Sequence, residues 1–201
     1  VACGTAAAEQ WGEPRREVDF YDLKGEVESL LALGGRAGGL RFVPASEPWL
    51  HPGRAAEVLC DGHRIGWVGH LHPALLKALD LDGEVVGFEL DLDPLQERPL
   101  PKARPLSRFP SVRRDLALVV PEATPWEALE TSLRAALGEQ LREVLVFDRY
   151  VGPGLEAGTK SIAMGLILQD VSRTLTDHDA DRAMAAAVAA MERDCGARLR
   201  G

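Results

Sequence analysis

A two-part α+β fold is predicted from three observations. First, charge divides unevenly: residues 1–100 hold 9 Lys+Arg against 17 Asp+Glu, a net of −8, whereas residues 101–201 hold 14 against 14. Second, the proline-rich "ERPLPKARPL" lies where that balance changes, which sets a boundary near Pro99–Pro105. Third, the second half alternates strand and helix patterns in the order β-α-β-β-α-β. Residues 1–100 are therefore read as one domain and 101–201 as another, opened by a basic linker over 101–114.

In the first half, "DLKGEVESLLALGG" spaces Leu23, Val27, Leu30 and Leu31 at helical intervals and stops at Gly34. "AAEVLCDGHRIGWVGHLH" sets two apolar runs around Asp61-Gly62, a dipeptide that favours a type I′ hairpin. "HPALLKALDL" is a short helix, and "EVVGFELDL" alternates Val86, Phe88, Leu90 and Leu92 as a half-buried strand does. Antiparallel sheet with helices summarises this half.

In the second half "DLALVV" is a strand, and Thr124-Pro125-Trp126-Glu127 has the form of a capping box with proline at the first helical position. Leu129, Leu133 and Leu137 make the stripe of that helix and Gly138 its stop. "EVLVFDRYV" and "SIAMGLILQ" are strands joined by the turn residues of "GPGLEAGTK". Thr176 with Asp177, Asp179 and Asp181 opens a last helix whose acids suit its N-terminal dipole. Met184, Val188, Met191 and Cys195 are its expected buried stripe, so Cys195 reads as core, and "ARLR" adds a final strand. This order is that of the ferredoxin-like βαββαβ sandwich, with two helices on one face of a four-stranded antiparallel sheet and the other face free.

Strand alternation then predicts what the free face carries. Leu116, Leu118 and Val120 face the helices, which turns Asp115, Ala117 and Val119 outward. In the next strand Leu145 and Phe147 are expected inward and Val146, Asp148 and Tyr150 outward. In the third, Ile162, Met164, Leu166 and Leu168 point in, leaving Ser161, Ala163, Gly165, Ile167 and Gln169 out. Small residues thus surround one aromatic ring, one carboxylate and one hydroxyl. That suits an unstacked base: the ring is a stacking platform, and the carboxylate accepts from an edge rich in donors, as guanine's is. The same pattern is met by a tyrosine that only covers the sheet, with Asp148 paired to Arg149 or a turn amide.

The basic stretch needs an anion. Pro101–Arg114 contains Lys102, Arg104, Arg108, Arg113 and Arg114 and no acid. Other chemistry is not indicated. "GGRAGG" lacks the Gly-Lys-Ser/Thr ending of a phosphate loop and reads as a helix-to-strand connection. His70 and His72 have no third ligand at useful spacing. Neither a GxSxG nor an HExxH motif occurs. Cys3, Cys60 and Cys195 are too scattered for a disulfide framework, which fits a reducing cytoplasm. The longest fully apolar run, Ala183–Met191, is far short of the roughly 20 residues that cross a bilayer. The start at Val1 suggests a piece of a longer protein.

"DFYDLKGEVESLL", "PWLHPGRAAEV", "IGWVGHLHP", "FELDL", "SRFPSVRRDLALVV", "VLVFDRYVG" and "SRTLTDHDADRAM", in that order, resemble the C-terminal third of the bacterial phenylalanyl-tRNA synthetase β subunits. The resemblance covers nearly the whole chain. It implies that 1–100 is the C-terminal part of a catalytic-like module, a partial class II synthetase-like antiparallel α/β unit without catalytic residues. It implies that 101–201 is the ferredoxin-like anticodon-binding domain. The Asp-x-Tyr of the family's second strand falls on Asp148 and Tyr150, and the serine opening the third strand falls on Ser161. With the outward Ala117 these form the expected base-binding set for the anticodon's first base, a guanine. Arg108, Arg113 and Arg114 are the expected holders of the tRNA backbone.

The resemblance further implies tRNA(Phe) and an α subunit as partners in an α2β2 assembly in the cytoplasm, with ATP and magnesium used at the α subunit. No cofactor is expected in this stretch, which has no motif 3 arginine for ATP, no oligonucleotide-binding fold and no editing region. Two other readings fit the fold less well: a protein-docking module without RNA readout, and a small-ligand sensor. The sensor lacks a glycine-rich ligand loop and leaves "PKARPLSRFPSVRR" unexplained.

Overall fold

A computed structural model of the chain describes residues 1–35, 39–96, 100 and 106–200. The chain divides into two compact units, Val1–Ala103 and Arg104–Gly201. Most of the proline-rich segment, with Lys102 and Arg104, lies outside the described residues, as do residues 36–38 of the "GGRAGG" connection.

The first unit is a five-stranded antiparallel sheet built from β1 (Ala2–Cys3), β2 (Leu40–Pro44), β3 (Leu50–Cys60), β4 (His63–Leu71) and β5 (Val85–Leu90), in the order β1-β5-β4-β3-β2. Helix α1 (Phe20–Leu33) packs on it, while α2 (Pro73–Ala78) and α3 (Asp93–Gln96) are short. Asp61 and Gly62 take positive φ of 49° and 82° between paired Cys60 and His63, the expected I′ turn. In α1, Leu23, Val27 and Leu31 are buried at four-residue spacing against Val58, Val68 and Val86. Leu30, expected in that stripe, is 42 % exposed, because the sheet meets only the row of i+4 positions. Leu92 lies beyond the end of β5 and is exposed.

"HLH" does not stay in one strand. β4 ends at Leu71, and the His72 Nδ1 accepts from Ala74 N at 3.1 Å as the N-cap of α2. His70 is buried, with Nδ1 3.2 Å from Glu84 Oε2 but aligned too poorly for a hydrogen bond. Burial lowers its pKa, against the opposing pull of Glu84.

The second unit contains β6 (Val112–Pro121), α4 (Trp126–Leu137), β7 (Leu141–Tyr150), β8 (Thr159–Leu168), α5 (Asp177–Cys195) and β9 (Arg198–Leu199). Its sheet order, β7-β8-β6-β9, with every described pairing antiparallel, is the ferredoxin-like arrangement. Leu116, Leu118, Val120, Ile162, Met164, Leu166 and Leu168 pack against Leu129, Leu133 and Leu137 of α4 and the buried side of α5, as alternation predicts.

Two helix expectations need correction. α4 begins at Trp126 with Pro125 as N-cap and has no side-chain cap, because Thr124 stands one residue too early. The Thr124 carbonyl instead accepts from Lys160 Nζ at 2.6 Å. The deepest stripe of α5 is Ala180, Ala183, Ala187, Ala190 and Met191, while Met184, Val188 and Cys195 flank it half-buried. Small side chains let α5 approach α4, and Ser132 Oγ donates to Asp194 Oδ2 at 2.8 Å across the pair. The N-terminus of α5 has the expected capping box between Thr176 and Asp179.

The cap of α1 gives a pH prediction. Asp22 accepts from Arg16 at 2.7 and 2.6 Å and from the Asp19 N–H at 2.8 Å, and the Arg16 hydrogen bond lowers its pKa from 3.8 to about 2. A depressed carboxylate stabilises the fold above its unfolded pKa and loses that contribution as pH falls toward 2. Asp22→Asn should therefore cost about 0.5–2 kcal/mol at pH 7, the usual scale of a lost cap. In urea unfolding the two proteins should converge as pH falls from about 4 to 2; a gap that does not change with pH would contradict this.

Candidate nucleic-acid interface

Helices α4 and α5 both lie on one face of the second sheet, so the other face is the place to look for a ligand. Across it run Arg113, Asp115, Ala117 and Val119 of β6 and Ser161, Ala163, Gly165 and Ile167 of β8, paired in register. What β7 contributes is set by a register shift. Val144 pairs with inward Leu166, Leu145 with outward Gly165 and Val146 with inward Met164; then Phe147 is passed over and Asp148 pairs with outward Ala163.

The expected facing of Leu145, Val146 and Phe147 is therefore corrected. Leu145 is outward and Val146 inward, although at the sheet edge both stay partly exposed, at 38 % and 47 %. Phe147 is 54 % exposed and lies beside Arg113, whose Cζ is 5.5 Å from the ring centroid. A bulge inserts one residue and resets the alternation beyond it. Asp148 and Tyr150 consequently share the open face with Ser161 and Ala163.

Tyr150 is held on three sides. Its hydroxyl donates to the Pro153 carbonyl at 2.9 Å, and the ring lies over Gly152, where an added Cβ would sit 2.9 Å from the hydroxyl oxygen and 3.1 Å from Cζ. Above the ring the Arg200 guanidinium stands 5.4 Å from the centroid, and its Nη1 donates to Ser161 Oγ at 3.1 Å. The Arg200 N–H also donates to the Ala117 carbonyl at 2.9 Å, which fixes this arginine at the sheet end. Ser161 is only 2 % exposed beneath it. Asp148 is exposed and, among the described residues, none hydrogen-bonds or ion-pairs with its carboxylate, neither Arg149 nor a turn amide. Arg149 approaches Glu122 instead, at 3.7 Å.

The three expected phosphate holders separate. Arg108 is exposed on a loop fixed by Ser107 Oγ donating to the Asp170 carbonyl at 2.9 Å and Gln169 Nε2 donating to the Phe109 carbonyl at 2.7 Å. Among the described residues Arg108 has no ion-pair partner. Arg113 is on the open face, paired with Asp115 at 2.7 Å. Arg114 is on the helix side and donates to Asp177 at 2.6 Å, at the start of α5. Arg198 and Arg200 were not among the expected site residues; Arg198, paired with Val119 of the open face, donates to Glu156 at 3.2 and 2.7 Å, whereas Arg200 brings its positive charge to the Tyr150 ring. Alternation applied to "ARLR" carries that signal.

Two family models match the chain. Residues 1–92 match the "Phenylalanyl tRNA synthetase beta chain CLM domain", and residues 107–200 match the "Ferredoxin-fold anticodon binding domain". The chain belongs to the phenylalanyl-tRNA synthetase β-chain family. Similar curated relatives are the phenylalanine–tRNA ligase beta subunits of Xanthomonas campestris pv. campestris (strain 8004), 56 % identical over 201 residues, and of Xylella fastidiosa (strain 9a5c), 54 % identical over 200. Each alignment covers 100 % of this chain and 25 % of the relative, so the chain spans about a quarter of the length of those subunits. Its second unit is the anticodon-binding domain of the β-chain family; the open face carries the clamped Tyr150 ring and a carboxylate, that of Asp148, without a partner among the described residues.

A salt titration separates the three arginines. Arg108→Ala and Arg113→Ala should each flatten the slope of log affinity against log salt for tRNA by about 0.7–0.9, the effect of one lost phosphate contact. Arg114→Ala should leave the slope unchanged and instead lower stability by up to about 1 kcal/mol, as expected for an exposed ion pair. A flattened slope for Arg114→Ala, with stability intact, would contradict its assignment to α5.

Proposed function

We propose that this chain is the anticodon-reading and assembly portion of a phenylalanine–tRNA ligase β subunit. In this reading the open face binds the first anticodon base of tRNA(Phe): Tyr150 stacks on it, Asp148 reads its edge, Ser161 assists and Ala117 leaves room beside it. The observation that carries the reading is an exposed carboxylate without a partner, two residues from a clamped aromatic ring, on a sheet face that the helices of its own unit leave bare.

The chemistry favours guanine. Its N1–H and 2-amino group both donate toward a carboxylate, whereas adenine presents an acceptor at N1 and no 2-amino group. Arg200 enters this site with two roles. Its guanidinium holds the side of the platform that a base would share, and its hydrogen bond occupies Ser161, so a bound base either inserts beneath it or moves it aside. Arg108 and Arg113 add charge along the same approach.

The remaining expectations concern the whole ligase. We infer an α subunit as the partner of the first unit, in an α2β2 assembly in the cytoplasm. Among the described residues no helix is long and apolar enough to cross a membrane. Nor does any group of three or more His, Cys, Asp or Glu side chains there form a metal site. We infer that the ATP and magnesium of the complete ligase belong to its α subunit.

The test is affinity for tRNA carrying guanine or adenine at the first anticodon position, measured in one buffer. Wild type should prefer guanine by about 1–3 kcal/mol, the cost of one mismatched base contact. Tyr150→Ala should weaken both RNAs, whereas Asp148→Asn should mainly erase the preference, since an amide offers one acceptor atom and a competing donor. Full guanine preference in Asp148→Asn would make the carboxylate structural.

A further inference from the structure

We propose that Phe147, with Arg113, forms a second nucleotide subsite on the same face, taking the base next to the one held at Tyr150. This rests on the reading of that face as an RNA-binding surface. Its own evidence is a large apolar ring exposed on a face that no helix of its unit covers. With Val144 and Val146 inward, Phe147 is turned to that face, and the shift between Val146 and Asp148 brings the carboxylate and Tyr150 to the same side. The ring is 54 % exposed.

The surroundings of Phe147 repeat those of Tyr150. Tyr150 has Arg200 at 5.4 Å from its ring, and Phe147 has Arg113 at 5.5 Å. Arg113 is oriented by Asp115, to which its Nε donates at 2.7 Å. Gly165 permits that position: a Cβ there would stand 2.9 Å from Arg113 Nε and 3.1 Å from Asp115 Oδ1. An aromatic face with a guanidinium beside it suits a base and its phosphate.

Phe147 and Tyr150 are three residues apart, about 7–10 Å along a strand that rises ~3.3 Å per residue and loses part of that at a bulge. Consecutive nucleotides of an extended single strand span such a gap. Phe147 carries no hydrogen-bonding group, so this subsite holds any base, in contrast to the edge reading at Asp148. Continuity with the Tyr150 site and the local positive charge favour RNA over an apolar protein partner on Leu145 and Phe147.

The experiment uses the 201-residue chain and synthetic anticodon stem-loop RNAs: one intact, one abasic at the first anticodon position, and two abasic at either flanking nucleotide. Phe147→Leu, which keeps an apolar side chain but removes the ring, should weaken the intact stem-loop about 5- to 150-fold, the range of one lost stacking contact. Phe147→Tyr should restore affinity. One flanking abasic RNA should bind wild type as weakly as Phe147→Leu binds the intact RNA, with no further loss when the two changes are combined.

Full affinity in Phe147→Leu, or a loss that persists on both flanking abasic RNAs, would overturn the proposal. Tyr150→Ala in parallel separates the two readings. If Tyr150→Ala is weakened and Phe147→Leu is not, only the second subsite fails; if neither is weakened, or wild type does not bind, both fail. RNA affinity unchanged in Phe147→Leu would leave the apolar pair to a protein partner.

Discussion

Between Val146 and Asp148, strand β7 has one residue more than the strand it pairs with, and the site depends on that extra residue. Val144 is fixed inward by its pairing with Leu166 and its packing on the core. Strict alternation from there would turn Asp148 and Tyr150 to the helix side and leave the open face without either. The bulge moves both to the open side and leaves Phe147 there too. One residue of register thus converts an ordinary edge strand into a row of two aromatic rings and a carboxylate.

The rest of the second unit gives that row its setting. Both helices spend their apolar stripes on one face of the sheet, and the small residues Ala117, Ala163 and Gly165 keep the other face low. The turn after β7 supplies the Pro153 carbonyl and the space over Gly152 that hold Tyr150 at a defined tilt. β9, only two residues long, brings Arg198 and Arg200 onto the same face. A platform held this firmly loses little freedom on binding, which favours affinity without added contact area.

Element order in the second unit was legible because each element has a strong local pattern: Leu129, Leu133 and Leu137 at helical spacing, and Leu116, Leu118 and Val120 at strand spacing. The facing of β7 was legible only beyond the bulge. Asp148 and Tyr150 do face the open side as expected, but from an alternation that put Leu145, Val146 and Phe147 on the wrong side. A bulge of this kind leaves no glycine or proline in "EVLVFDRYV", so composition does not reveal it; pairing with β8 does. The unformed capping box at Thr124 is likewise a one-residue shift, with the helix starting at Trp126 and the Thr124 carbonyl accepting from Lys160 of another strand. Strand parity already separates outward Arg113 from inward Arg114, and tertiary contacts give each its neighbour, Phe147 for one and Asp177 for the other.

The central claim is that RNA meets the open sheet face of the second unit and not its helices. The most direct measurement is the change in backbone amide NMR shifts when the ¹⁵N-labelled chain is titrated with an anticodon stem-loop RNA. The account predicts shifts concentrated at Asp148, Tyr150, Ser161, Ala163, Gly165 and Arg200, with the solvent side of α4 and α5, at Arg134 and Glu192, unmoved. Shifts concentrated on those helices, or no shift along β7 and β8 at saturating RNA, would contradict it.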